Sequence, residues 1–297
     1  MRKILLTGKN GQVGWELQRT LAALGEVIAL GREEMDLGNP DAIRARIREI
    51  KPDIIVNAAS YTAVDKAESE PELAMAINGV APGIIAEEAK HVGVRLVHYS
   101  TDYVFDGKKS GAYSEEDAPK PASVYGRSKL AGEKAIRASG ADHLIFRTSW
   151  VFAARGKNFL KTILRLAAER EELRIVADQF GAPTWARLVA DVTALALQQD
   201  LARLKNGKFE SGIFNLTAAG ETSWHGFASA IITAARKRGA SLKCRTVVPI
   251  TSAEYPLPAA RPANSRLSGA KLEKRYGVEM PGWDYCMHQC LAELFPS

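Results

Sequence analysis

Tyr125-Gly126-Arg127-Ser128-Lys129 sets a phenol and an amine four residues apart. On a helix that spacing carries both side chains to one face, where they act as a unit. The chemistry they suit is proton donation to a carbonyl that is receiving hydride. The phenol delivers the proton and the neighbouring ammonium stabilises the phenolate left behind. A third hydroxyl is expected at the end of the strand before this helix, because ligands of open α/β sheets bind beyond the carboxyl ends of strands. Val97-His98-Tyr99-Ser100-Thr101-Asp102-Tyr103 offers two. Alternation along a strand turns only one of them to the cleft. Thr101 is assigned to the carbonyl oxygen, and Ser100 to the backbone at the strand end. Asp102 is a candidate for holding a substrate hydroxyl, or simply a turn former.

About a hundred residues upstream stands Gly8-Lys9-Asn10-Gly11-Gln12-Val13-Gly14, between an apolar run and an amphipathic one. Glycines there permit a left-handed turn, let backbone approach a diphosphate, and let the helix pack against the strand. The anion would sit at the helix N-terminus. The spacing is G-x-x-G-x-x-G, and its place after the first strand of a βαβ pattern points to a dinucleotide. At the end of the next strand, where NAD binders carry an acid, the chain reads Leu30-Gly31-Arg32. A guanidinium pairs with a 2′-phosphate that an acid would repel, so NADPH is favoured, with NADH a possible second cofactor. Asp36 and Leu37 lie toward the adenosine end, and Ala58, Ala59, Ser60 and Tyr99 where the cofactor crosses the strand ends. With Gly8, Asn10, Gly11, Gln12, Val13, Gly14, Arg32, Tyr125 and Lys129 they form the expected cofactor cradle. Bringing a phenol from about 10 to about 7 takes roughly 4 kcal/mol, which Lys129 shares with the nicotinamide.

These residues need a frame. Strands are expected at Ile4 to Leu6, Val27 to Leu30, Ile54 to Val56, Leu96 to Tyr99 and Leu144 to Phe146, alternating with helices at Val13 to Leu24, Asp41 to Ile50, Ala81 to Val92 and Val124 to Ser139. That order implies an α/β fold, a doubly wound parallel sheet of Rossmann type. Beyond Trp150 the pattern loosens: a helix near Phe159 to Ala168, a strand at Arg174 to Val176, a turn at Gly181-Ala182-Pro183-Thr184, a helix at Leu188 to Leu197, and a strand at Ile213 to Leu216 able to rejoin the sheet. Residues 1–150 with about 184–217 are read as the dinucleotide-binding domain. About 151–183 and 218–297 are read as a smaller C-terminal substrate lobe.

With 46% hydrophobic and 25% charged residues the chain is expected to fold throughout. Its net charge of +6 is spread along the sequence, which suits phosphorylated small molecules and argues against nucleic acid. Three cysteines cannot all pair, so a reducing cytoplasm is expected. No apolar run approaches the roughly 20 residues that cross a bilayer, and no membrane partner is expected. Cys286-x-His288-x-Cys290 suggests zinc, but on a helix His288 points away from the two thiols, and no metal is assigned. His91, His98 and His143 show no partner in the sequence.

Taken together, the glycine turn through Leu17, Ser100-Thr101-Asp102-Tyr103-Val104-Phe105, Tyr125 to Lys129, Arg147-Thr148-Ser149-Trp150, Gly181 to Thr184 and Arg261-Pro262-Ala263-Asn264-Ser265-Arg266 resemble the dTDP-4-dehydrorhamnose reductases, members of the extended short-chain dehydrogenase/reductases. The likeness spans essentially the whole chain. It implies reduction of the C4 ketone of a dTDP-linked 4-keto sugar, with Thr101, Tyr125 and Lys129 catalytic and Thr101, Asp102, Tyr125 and Trp150 on the sugar. Arg261 and Arg266 are candidates for the nucleotide's diphosphate. Some members are dimers with Mg2+ between acidic residues. Here Glu16 and Glu293 are retained but Arg187 stands where an acid is expected, which puts Mg2+ in doubt and leaves monomer or homodimer open. Two rivals are an epimerising keto-sugar-nucleotide enzyme, for which no second acid-base pair is evident, and an NADP-binding regulatory subunit without chemistry, like that of methionine adenosyltransferase. The intact Tyr125 and Lys129 weigh against the latter.

Overall fold

The computed structural model of the chain describes residues 1–204 and 209–296. The first half alternates β1 (Lys3–Thr7), α1 (Gln12–Leu21), β2 (Glu26–Leu30), α2 (Pro40–Ile50) and β3 (Ile54–Asn57). Two short helices, α3 (Val64–Ala67) and α4 (Pro71–Met75), and a π-helical turn at Ala76–Val80 lead into α5 (Ala81–Val92). Then come β4 (Arg95–Thr101), a 3-10 turn at Asp102–Val104, α6 (Val124–Ser139) and β5 (His143–Thr148). The strands pair in parallel, and with a late arrival they form a six-stranded sheet.

Local chemistry sets these boundaries. Asn39 caps α2 by accepting from the backbone of Asp41 and Ala42, with Pro40 in the first turn where its missing N–H costs nothing. Ser123 caps α6 by accepting from Gly126, and Gly140 ends it in the left-handed region, at φ 67°. Ile54, Ile55 and Val56 are wholly buried because helices cover both faces of the sheet. One apolar layer joins Leu6, Val56 and Val97 to Leu17 and Val189, and the other joins Leu5, Ile55 and Leu96 to Ile43 and Ile85. Each such side chain contributes about 1.5–3 kcal/mol on burial.

The second half begins with β6 (Val151–Phe152), α7 (Phe159–Glu169), β7 (Glu172–Val176), β8 (Phe180–Gly181), β9 (Thr184–Trp185) and α8 (Ala186–Arg203). Next come β10 (Gly212–Asn215), β11 (Thr222–Ser223), α9 (Trp224–Lys237), β12 (Thr246–Ile250), α10 (Ala270–Tyr276) and α11 (Trp283–Leu294). The chain does rejoin the sheet: β10 pairs in parallel with β5, giving the order β10-β5-β4-β3-β1-β2. The order reverses between β1 and β3, the place where such sheets open a crevice.

The bare turn expected at residues 181–184 lies between two short strands. β8 pairs antiparallel with β11, and β9 in parallel with β6. A separate apolar cluster, with Phe152, Leu160, Phe227, Ile231, Cys286 and Leu291, fills the smaller lobe. α10 leaves that lobe: Leu272 and Tyr276 pack beneath the main sheet near Phe214. None of the described helices is long and apolar enough to cross a membrane.

Candidate active site

A cleft of about 820 Å3 opens along the carboxyl ends of the strands. Its floor begins at the turn after β1. Gly8 sits at φ 75°, and a Cβ there would lie 2.7 Å from the backbone nitrogen of Ala59. A Cβ on Gly14 would come within 2.0 Å of the Gly8 carbonyl oxygen, so α1 packs on the turn only as glycine. Gly11 caps α1 without a side-chain bond, and the first turn holds no acid. The amides at that terminus are therefore free for an anion. Gly8, Asn10, Gly11, Gln12 and Val13 line the cleft, with Gly14 supporting from behind. Arg32, Asp36, Leu37, Ala58, Ala59, Ser60 and Tyr99 line it further along. Arg32 is well exposed and lies 3.7 Å from Asp36. This cradle fits a dinucleotide.

Tyr125, Lys129, Thr101, Asp102 and Trp150 meet in the same cleft. α6 is held against β5 by a fully buried ion pair, Arg147 giving Glu133 two hydrogen bonds of 2.9 and 2.7 Å. The helix also rides close to the 3-10 turn, since a Cβ on Gly126 would meet the Tyr103 carbonyl oxygen at 2.2 Å. Tyr125 lies in the cleft with Thr101 and packs edge-on against Tyr103 at 5.5 Å. Burial, and then the charge of Asp102, push its phenol up, so it stays protonated at neutral pH. Lys129 is 2% exposed and donates to the Tyr99 carbonyl at 2.5 Å. Burial pushes its amine down to about 8, against the opposing pull of Glu133. Asp102, accepting from Thr101 at 2.9 Å, is pushed up to about 6 by burial. Trp150 adopts φ 49°, rare for a bulky residue. Its ring stacks on Trp224 at 3.5 Å, with Gly181 directly against it.

Three expectations change. Ser100 does not serve the backbone: its hydroxyl is buried, lacks a partner, and lines the cleft beside Thr101. Both residues still pair with β5, yet both line the cleft, so strict alternation does not sort them. Arg266 is absent from the cleft; it is spent on Asn264, Glu221 and the Ser110 carbonyl. Arg261 stands one residue behind the cleft wall, bonded to Asp65 at 2.7 Å and to the Tyr103 hydroxyl at 3.2 Å. Sequence reasoning also missed Thr148, whose buried hydroxyl is unpartnered, and His98, which reaches Lys129. Thr148 had entered only within the Arg147 to Trp150 motif, and His98 as a histidine with no partner in the sequence.

The acids associated with Mg2+ in the resembled family do not fit a divalent ion here. Arg187 bonds Glu16 at 3.1 Å and Glu293 at 2.7 Å, so a guanidinium already stands between the carboxylates. Cys286 and Cys290 face the lobe interior, free, with both thiols pushed up to about 12, while His288 is on the exposed side of α11.

A doubly wound sheet, a glycine-turn cradle and a Thr-Tyr-Lys set at the strand ends define an extended short-chain dehydrogenase/reductase. A family model described as the RmlD substrate binding domain matches residues 1–295. The dTDP-4-dehydrorhamnose reductase of Burkholderia thailandensis is 55% identical over 294 residues, 98% of this chain and 99% of the relative. That of Escherichia coli (strain K12) is 49% identical over 298 residues, 99% of this chain and 98% of the relative. The solved dTDP-4-dehydrorhamnose reductase of Bacillus anthracis, in complex with NADP, matches with a TM-score of 0.88 at 33% identity, covering 99% of this chain and 100% of that one. Thermus thermophilus UDP-glucose 4-epimerase, at 20% identity and a TM-score of 0.81, shares the fold. The chain belongs to the dTDP-4-dehydrorhamnose reductase family.

Proposed function

We propose that this protein is an NADPH-dependent oxidoreductase that reduces the C4 ketone of dTDP-4-dehydro-L-rhamnose to give dTDP-L-rhamnose. The observation that carries the chemistry is the Tyr125 hydroxyl, held protonated by burial in the same cleft as Thr101, one helical turn from the buried Lys129. NADPH held by the glycine turn, with Arg32 toward its 2′-phosphate, supplies the hydride. Thr101 orients the ketone oxygen, and Tyr125 gives it a proton as negative charge develops. Lys129, as ammonium, stabilises the phenolate electrostatically. Asp102 and Trp150 hold the sugar.

Residues 1–150 with about 184–217 hold the cofactor, and about 151–183 and 218–297 meet the sugar nucleotide. The separate apolar cluster of the smaller lobe supports that division, although α10 and Met280 pack with the main sheet, Leu267 packs on Phe105 and Tyr113, and Trp185 joins the lobe cluster. Three free, buried thiols suit the cytoplasm. The test is to mix purified protein with NADPH and dTDP-4-dehydro-L-rhamnose, following nicotinamide absorbance and identifying the sugar. Tyr125→Phe should bind NADPH normally and turn over about 10²- to 10⁴-fold more slowly. Normal turnover in that variant would remove Tyr125 as the proton donor.

A further inference from the structure

Behind Lys129 lies a buried polar chain with no part in the mechanism above. The Lys129 amine is 3.4 Å from His98 Nε2, and His98 Nδ1 is 3.1 Å from the Asn57 amide nitrogen. The Asn57 amide oxygen accepts from the Thr7 hydroxyl at 2.6 Å, and that hydroxyl accepts from the Ala59 backbone at 3.2 Å. Thr7, Asn57, His98 and Lys129 are each 2% exposed or less. Thr7 and Lys129 meet the cleft at the two ends of the chain, while Asn57 and His98 between them must share protons with their neighbours in it.

A neutral imidazole carries one ring proton, leaving one nitrogen to donate and the other to accept. As placed, the Asn57 amide donates to His98 Nδ1. The ring proton is then on Nε2 and aimed at Lys129, a contact that needs the lone pair of a neutral amine. If Lys129 is an ammonium, it must donate to a bare Nε2. The ring proton then moves to Nδ1, and the Asn57 amide must turn its oxygen toward it. The turned amide donates to Thr7 instead, whose hydroxyl proton is free to face the cleft. Both arrangements satisfy every member. They differ by one proton, lost or gained at the Lys129 amine, while His98 keeps a single proton throughout. Burial and the nearby ammonium hold His98 well below its ordinary range, which bars the alternative of a charged ring. Of the other ionisable groups, Glu133 of its own helix acts on Lys129 and is paired with Arg147 of β5, Tyr125 of its own helix lines the same cleft, and the Tyr99 phenol turns instead to Thr193 of α8.

We propose that His98 is a positioning residue for Lys129, reversing its tautomer as Lys129 gains or loses its third proton, with the Asn57 amide turning to match. The inference rests on the catalytic assignment of Lys129. It makes the lysine's charge, and so its hold on the phenolate, depend on an imidazole outside the cleft.

Nitrogen-15 spectra of histidine-labelled full-length protein across pH 6–10 give the direct test, since tautomers are resolved by their ring-nitrogen shifts. His98 is expected to stay neutral while its protonated nitrogen changes from Nδ1 to Nε2, at the pH where kcat/KM begins to fall. One tautomer over the whole range, or a charged ring, overturns the proposal. In His98→Leu the ammonium loses an acceptor, and the upper limb of the kcat/KM profile should move about one unit toward lower pH. His98→Gln, which keeps an acceptor near Nε2, should restore most of the shift. An unmoved limb in an active Leu variant likewise overturns it, and if that variant fails to fold the wild-type spectra still decide. Lys129→Met separates the two readings: full turnover there removes the catalytic assignment, whatever the His98 spectra show.

Discussion

Asp102 is the acid whose environment makes the largest demand on stability. It is 3% exposed, and its second oxygen has no hydrogen-bond partner. Burial lifts its carboxyl from 3.8 to about 6. A raised acid means that the folded chain holds a proton the unfolded chain has already released. Stability from this group therefore falls as pH rises from about 4 to 6, and the full cost is present above 6. A shift of about 2 units corresponds to roughly 3 kcal/mol at neutral pH, and about 1.5 kcal/mol at pH 5. Asp102→Asn keeps the acceptor for Thr101 and removes the charge. Its own unpaired N–H groups make these figures upper bounds. Urea unfolding at pH 5 and 7.5 should show the variant more stable than wild type at pH 7.5, with the advantage reduced by up to ~1.5 kcal/mol at pH 5. Activity should drop in the same variant, because the sugar contact is altered. A difference between the proteins that does not change with pH, or a variant less stable at pH 7.5, would refute the argument.

Exhaustive chelation with EDTA should leave turnover within about two-fold of the untreated enzyme, because the Arg187 guanidinium already joins Glu16 to Glu293. Turnover lost to EDTA and restored by Mg2+ would contradict this. Lys129, depressed to about 8, should give wild-type kcat/KM an upper limb near that pH as the ammonium is lost. Its effect on stability runs the other way: the cost of burying the charge is full below about 8 and is relieved as pH rises toward 10.5. Arg32→Ala should raise the Kd for NADPH by about ten-fold and leave that for NADH nearly unchanged, measured by nicotinamide fluorescence. Equal losses for both cofactors would place Arg32 elsewhere.

The site was legible wherever its chemistry is tied to spacing along one element. Tyr125 and Lys129 share a helix face by the four-residue repeat, and the glycine turn follows from a strand running straight into a helix. The periodic run also gave the ends of that helix, Val124 and Ser139, and the structure adds the reason, a Ser123 cap and a Gly140 stop. Ser100 was misread because both hydroxyls at the end of β4 line the cleft, so alternation did not separate them. Arg266 was misread because a free arginine and one bonded to Asn264, Glu221 and Ser110 look alike in sequence.

By itself, the sequence determined the βαβ alternation, the glycine cradle and the Thr-Tyr-Lys set, since each depends on residue type and local period. Tertiary structure alone decided that α10 packs beneath the sheet and that Arg187 stands between Glu16 and Glu293. It also decided that Thr7, Asn57 and His98 form a chain ending at Lys129. Those four residues come from three neighbouring strands and a helix, and only the register of β1, β3 and β4 brings them within hydrogen-bonding distance. Register across strands is fixed by packing of the whole sheet, and no local pattern encodes it.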